Sequence, residues 1–242
     1  MRDKKFVLAL FLLLTGTVVM LSIEPDTIQT AEGPLKIIPI KHASLLLEFR
    51  NKVIHVDPWS QGDYTGLPKA DLILITDIHG DHMDPAKINE VKKEGTVIVA
   101  PASVAKTVTT GIVINNGESK MIEGIQVEAV PMYNLVRGPS PGKLFHDRGR
   151  GNGYILTLGG KRVYISGDTE CIPEMKSLKN IDVAFVCMNL PYTMTPQEAA
   201  ECVKTFKPKI VYPYHYRDSD LNLFVNALKS EKGIEVRLRK WY

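Results

Sequence analysis

Residues 72–85, LILITDIHGDHMDP, place Asp77, His79, Asp81, His82 and Asp84 within eight positions directly behind an apolar run. The chain holds only six histidines, so two of them alternating with aspartates at one spot ask for a chemical reason. Imidazole and carboxylate at this spacing are good ligands for zinc, manganese or iron. A purely structural use is the competing reading: histidines capping a helix, aspartates forming turns. The rest of the chain favours the metal. Asp168 closes the stretch VYISGDT, His215 closes YPYHY, and His146 lies in a glycine-rich loop. Neighbouring strands that end in His or Asp deliver those side chains to one sheet edge, where a site can assemble. His42, at the start of a strand near that edge, and His55, within VIHV, are expected to be satisfied by hydrogen bonds rather than to bind metal.

The elements that must position these groups follow from pattern. LKIIPI (35–40), ASLLLEF (43–49) and KVIHVD (52–57) are strands with connections short enough for antiparallel pairing. ADLILITD (70–77) has the uninterrupted apolar centre of a strand covered on both faces. Asp84 and Pro85 make an N-cap and first position for a helix running through AKINEVKKEG, and TVIVA and SVAKTVTT supply a further strand and helix. The second half opens with the strand IQVEAVPMY (125–133), then a Gly- and Pro-rich loop, then a hairpin turning at Gly159–Gly160. VAFVCMN and KIVYPYHY are strands. Between them TPQEAAECVKTF is a helix with Thr195 and Glu198 as its capping box and Pro196 at its first position, and DLNLFVNALKSEKG is the last helix before a short closing strand. Strands with helices interleaved in each half predict an α/β protein of two packed sheets flanked by helices.

Residues 1–33 read differently. MRDKK precedes FVLALFLLLTGTVVMLSI (6–23), a charge-free run with the character of a signal peptide or membrane anchor. Pro25 and DTIQTAEG detach it as a linker, leaving one domain over 34–242. Because the basic residues come first, the body is expected outside the cytoplasm, periplasmic or anchored in the membrane through this segment. Net charge is only +3 with no Lys/Arg block, which argues against a nucleic-acid partner. Cys171, Cys187 and Cys202 lack metal-site spacing and read as small core residues; in an exported chain two of them could pair, with no sign of which.

In order, TDIHGDH, SGDT and PYHY resemble the metallo-β-lactamase superfamily, and HASLLLEF, VIHVDPW and KADLILIT agree. The nearest likeness is to its ascorbate-6-phosphate-lactonase-like and N-acyl-phosphatidylethanolamine phospholipase-like hydrolases, over about residues 35 to 217. The resemblance implies a four-layer αβ/βα sandwich of two mixed sheets with two divalent ions, zinc or manganese with iron as a third candidate, at one edge. It implies that His79 serves the first ion, that Asp81, His82 and His215 serve the second, and that Asp168 lies between them. Asp57 would orient a ligand histidine. Two positions depart from the family pattern. Asp77 stands where HxHxDH begins with histidine; as a ligand it adds negative charge and tilts the site toward manganese or iron. Asn134 stands where a third histidine usually follows VPMY, and His146 either supplies that imidazole or faces substrate only.

The implied reaction is hydrolysis of an ester, lactone or phosphodiester by a metal-activated water, with Asp81 or Asp168 taking or relaying a proton. The loop 134–152 is expected to overlie the site, and its Arg137, Lys143, Arg148 and Arg150 favour a small-molecule or lipid-derived anionic substrate. Two other readings compete. One is a degenerate, non-catalytic metal-binding module, motivated by Asp77 and Asn134. The other is a metal-dependent redox protein on the same fold, against which His79 stands where iron-bearing relatives carry glutamate.

Overall fold

The computed structural model describes residues 25–108 and 111–242, so the apolar run at 6–23 lies outside the described residues. Two seven-stranded sheets carry the same plan. In the first, β1 (Asp26–Thr30), β2 (Gly33–Lys41), β3 (Ser44–Phe49) and β4 (Lys52–Val56) are antiparallel. The sheet continues parallel through β5 (Ala70–Leu74), β6 (Lys92–Ala100) and β7 (Ile112–Val113). In the second, β8 (Ser119–Ile122), β9 (Ile125–Met132), β10 (Gly151–Leu158) and β11 (Lys161–Ile165) are antiparallel. Strands β12 (Val183–Cys187), β13 (Ile210–Tyr214) and β14 (Glu235–Val236) then add in parallel. Side chains of both sheets share one core, as the sandwich reading requires.

Helices cover the outer faces. The period-2 alternation of a strand divides β5 and the residue after it. Leu72 and Leu74 enter the shared core, while Ile73 and Ile75 join Ile88, Val91 and Val104 beneath α1 (Pro85–Val91) and α2 (Ala102–Ala105). On the other side α4 (Pro196–Phe206) and α5 (Leu221–Leu228) bury Ala199, Cys202, Val203, Phe206, Phe224 and Leu228. The expected caps are present: Asp84 accepts from Ala86 and Lys87 N–H, and Thr195 and Glu198 close a capping box. Gly159 and Gly160 both adopt positive φ, +56° and +78°, as a tight hairpin turn of the primed type demands.

Three expectations are corrected. Helix α1 stops at Val91 instead of running through KKEG, because Lys92 pairs with Ala70 and Gly95 takes φ +80°, so this segment opens β6. Helix α2 is a single turn, its Val/Thr-rich continuation being a poor helix former. Residues 26–33, read as linker, instead form β1 and its turn; Asp26 is held by Tyr212, Arg237 and Arg239 at 2.6–3.1 Å. A disulfide joins Cys171, behind β11, to Cys202 on α4, and Cys187 is a buried free thiol. The short α3 (Pro173–Lys176) follows Cys171.

Because β4, β5, β11, β12 and β13 run parallel within their sheets, their C-terminal ends share one edge of the sandwich. Asp57, Asp77, Asp168, Asn189 and His215 all follow such ends. Two backbone contacts from Ile75 and Thr76 tie the sheets together there: Asn152 N–H donates to the Thr76 carbonyl at 2.9 Å, and the Tyr154 hydroxyl to that of Ile75 at 2.8 Å.

Candidate metal centre

The edge gathers all seven sequence-predicted ligands. Asp77, His79 and His146 form one group; His82, Asp168 and His215 form an adjoining one; and Asp81 joins His215 and His42 in a third that overlaps it. The Asp168 carboxylate faces both. Its Oδ2 is 3.2 Å from His146 Nε2 and 3.4 Å from His82 Nε2, while Oδ1 is 3.4 Å from His215 Nε2. His82 Nε2, His215 Nε2 and Asp168 Oδ1 are buried and have no hydrogen-bond partner among the described residues. Orphaned polar atoms aimed at one another are costly unless something else satisfies them. A divalent cation bound by neutral imidazole and carboxylate would do so, and the donor set suits one.

The surroundings fix which ring nitrogen is free. His82 Nδ1 donates to Asp57 Oδ2 at 2.8 Å, and Asp57 is itself held by Thr76 N–H and Thr76 Oγ1 at 2.7 and 2.6 Å. This leaves the Nε2 lone pair turned to the site, the arrangement a ligand histidine needs. His146 follows the same logic with an amide. Asn134 Nδ2 donates to the Tyr192 carbonyl at 2.8 Å, so its Oδ1 accepts from His146 N–H and Nδ1 at 2.8 and 2.7 Å. Asn134 therefore does not face the cluster in the family histidine's place. It seats His146 there, across twelve residues of loop.

Electrostatics follow from this crowding. Burial alone would keep His82 neutral, but the Asp168 and Asp57 carboxylates at its two nitrogens push its pKa well above the ordinary value. Burial would raise the Asp168 carboxyl, yet the imidazoles of His215, His82 and His146 hold it well below the usual range. These groups thus favour protonation, and divalent ions bound there would compete with those protons.

Sequence reasoning missed two residues. His42, set aside as a strand histidine, sits at φ +58° in the β2–β3 turn, its ring 3.6 Å from that of His215. Its Nε2 donates to Asp81 Oδ2 at 3.0 Å, so Nδ1 accepts from the Tyr242 hydroxyl. Burial pushes His42 down to about 4 against the pull of Asp81, consistent with a neutral ring that orients Asp81. Arg150, read as substrate-facing, instead clasps Asp77, with Nε 3.1 Å from Oδ1 and Nη2 2.9 Å from Oδ2. The pair cancels the extra negative charge that Asp77 brings in place of histidine. Two other loop cations are committed as well: Arg137 to Glu170 and Glu198, and Arg148 to Glu174, all at 2.7 Å. The grounds for reading these arginines as anion receptors therefore fall away. His55 behaves as expected, bonded to the Pro68 carbonyl at 2.9 Å.

A pocket of about 280 Å³ opens directly on the cluster, lined by His79, Asp81, Phe145, His146, Asp168 and Arg217, with Asn189 and Tyr192 completing the wall. Phe145 belongs to the loop 134–152, which thus borders the site as expected. A larger cavity of about 430 Å³ lies at the opposite strand ends, among Phe49, Lys52, Met121, Glu123 and Gly159, far from the titratable cluster.

A β-lactamase superfamily domain matches residues 36–215. The chain belongs to the metallo-β-lactamase superfamily. A UPF0173 metal-dependent hydrolase of Thermococcus onnurineus is 34% identical, over 69% of this chain and 78% of that protein. A crystal structure from Parabacteroides distasonis, described as a candidate metal-dependent hydrolase, is 48% identical, covers 90% of this chain and 99% of that one, and superposes with TM-score 0.85. Igni18, a metallo hydrolase from Ignicoccus hospitalis, shares the fold at 24% identity and TM-score 0.72, over 85% and 95% of the two chains. Within this superfamily's fold, the two seven-stranded sheets and their shared C-terminal edge carry the candidate metal-binding groups.

Proposed function

We propose that this chain, a metal-dependent hydrolase by family, binds two divalent ions, zinc or manganese with iron as a further candidate, and cleaves an ester, lactone or phosphodiester bond. The observation that carries the reading is the Asp168 carboxylate, which lies 3.2 Å from His146 of one ligand group and 3.4 Å from both His82 and His215 of the other. Asp77, His79 and His146 would hold one ion; Asp81, His82 and His215 the other; Asp168 would serve both. Ions held there supply Lewis acidity and an acidified water for attack on a carbonyl or phosphoryl centre. The chain's own residues do the rest. Asp57 and Asn134 hold His82 and His146 with their Nε2 lone pairs presented. His42 fixes the Asp81 carboxylate. Asp81, its side chain 29% exposed, borders the pocket and is the group placed to take a proton from an attacking water or pass one to a leaving group.

Three further elements belong to this proposal: export by the 6–23 segment with membrane contact through it, the catalytic domain beyond it, and a small-molecule or lipid-derived anionic substrate. The Cys171–Cys202 disulfide supports export, because such bonds persist in oxidising compartments.

The test is metal analysis of purified protein alongside a screen of phosphodiester, lactone and ester substrates with zinc and manganese compared. Two equivalents of metal with hydrolysis in one class are expected. Asp81→Ala and His215→Ala should each remove activity and lower metal content in a folded protein. Fewer than one equivalent with no turnover would favour the non-catalytic module.

A further inference from the structure

With Arg137, Arg148 and Arg150 committed to carboxylates, one arginine bordering the metal pocket stands uncommitted. Arg217 lies two residues beyond His215, on the turn that leaves β13, with φ +40° at Arg217 and +48° at His215. Left-handed backbone at non-glycine residues is sparsely populated and persists where the surroundings impose it. Here it keeps Arg217 on the wall of the pocket formed by His79, Asp81 and Asp168. No ion pair or side-chain hydrogen bond engages Arg217 among the described residues, whereas Arg137, Arg148 and Arg150 each hold a carboxylate. Beside it is Asn189, 2% exposed, which lines the same pocket and whose side-chain amide has no bond to described residues.

The same two residues also border a second pocket, of about 340 Å³, that continues outward past Leu190, Pro196 and Leu223. Asp218 and Asp220 line that outer part, so favourable potential for an anion is confined to the inner pocket, between Arg217 and the metal cluster. Charge count agrees. Asp77 is neutralised by Arg150, leaving Asp57, Asp81 and Asp168 as net negative groups, whose three charges two divalent ions would still outweigh.

We propose that Arg217 and Asn189 form the receptor for a negatively charged oxo group, phosphoryl or carboxylate, carried by the substrate next to the bond that is cut. Guanidinium matches such groups through paired N–H donors, and a side-chain amide adds one more. This rests on the hydrolase reading above and names its substrate class: an anionic ester or phosphodiester rather than a neutral one. The receptor is supplied by the segments that follow β12 and β13, across the pocket from Phe145 and His146 of the loop 134–152.

The test uses the full chain loaded with metal. Hydrolysis of bis(4-nitrophenyl) phosphate, of a nitrophenyl ester bearing a carboxylate, and of neutral 4-nitrophenyl acetate is compared for wild type, Arg217→Gln, Arg217→Lys, Asn189→Ala and Arg148→Gln. Binding of phenylphosphonate is followed by calorimetry as a readout independent of turnover. Arg217→Gln should raise KM for the anionic substrates about 10- to 100-fold and weaken phenylphosphonate by a similar factor, as loss of a charge-assisted hydrogen bond predicts. Neutral-ester turnover should fall by a much smaller factor than turnover of the anionic substrates, Arg217→Lys should recover part of the anionic loss, and Asn189→Ala should show a smaller loss of the same kind. A loss on the phosphate alone, or on the carboxylate alone, identifies which oxo group the receptor takes. Equal behaviour of Arg217→Gln and wild type on anionic substrates and on phenylphosphonate, or an equal loss in Arg148→Gln, overturns the proposal. Absence of turnover in metal-loaded wild type on every substrate would defeat the hydrolase reading instead, while the phenylphosphonate comparison would still decide the receptor.

Discussion

Replacing Arg150 with methionine keeps its aliphatic bulk and removes the guanidinium that clasps Asp77. The Asp77 side chain is 0% exposed and that of Arg150 18%. Burial alone would raise the Asp77 carboxyl, but the hydrogen bond from His79 and the charges of His82, His79 and Arg150 hold it at about 2. The metal-free variant therefore keeps a buried carboxylate with one fewer partner. Breaking a buried pair from one side costs about 3–5 kcal/mol, and the lower end applies because His79 Nδ1 remains 2.9 Å away. For a domain of this size, about 3 kcal/mol corresponds to a fall of roughly 6–12 °C in Tm. A divalent ion beside Asp77 supplies positive charge in place of the guanidinium. The metal-induced rise in Tm should therefore be larger in Arg150→Met than in wild type.

The same pairing makes the substitution at Asp77 conditional. Asp77→His restores the family's first histidine but strands the Arg150 guanidinium against an imidazole. Asp77→Asn leaves a neutral amide, a poorer ligand. Asp77→His combined with Arg150→Met removes both problems and should outperform the sum of its single changes by about 1 kcal/mol or more in metal-loaded stability. Calorimetric melting of chelator-treated and metal-loaded protein measures all of this. If metal-free Arg150→Met melts within about 2 °C of wild type, or the double variant is merely additive, Asp77 and Arg150 do not act as a neutral unit and the reasoning fails.

Cys171 and Cys202 close a 31-residue separation, and chain entropy assigns such a bridge about 3–4 kcal/mol, so Cys202→Ala or dithiothreitol should lower Tm by several degrees; no shift would mean the bridge is not formed in solution. Asp26 is partly buried, which alone raises its carboxyl, but Tyr212, Arg237 and Arg239 depress it below 3.8. A depressed carboxyl stabilises the fold above its unfolded pKa and loses that contribution as pH falls through the folded one. Asp26→Asn should therefore flatten stability against pH below about 4 and weaken the tie between β1 and the C-terminal strand; an unchanged acid profile would refute it. A reporter fused after Tyr242 should be active outside the cytoplasm, and activity only inside would end the export proposal.

What could be read from the sequence, and what could not, divides along the range of the forces involved. Strands, caps and the glycine hairpin are local, and so is the rule that a strand ending in His or Asp delivers that group to a sheet edge. The gathering of Asp77, His79, Asp81, His82, Asp168 and His215 at one edge was legible for that reason. Short edge strands such as β7 and β8 were not, because SKMI buries only its last residue and shows no alternation. The loss of helix at KKEG was decided by pairing with Ala70, a tertiary contact that overrides propensity. The groups that hold the ligands lay furthest out of reach. Arg150 meets Asp77 across 73 residues, His42 meets Asp81 across 39, and Tyr242 meets His42 across 200. Each partner is an ordinary residue in its own segment: an arginine in a loop, a histidine in a turn, a tyrosine beside a lysine and a tryptophan. Only His82 had a legible partner, because Asp57 ends the strand next to its own. The Asn134–His146 pair makes the same point from inside the loop. An amide that looks like a lost ligand becomes intelligible once its Oδ1 is seen to fix the proton on Nδ1 and turn Nε2 toward Asp168. A departure from a family pattern is therefore better tested by asking what the departing residue holds than by counting it as a missing ligand.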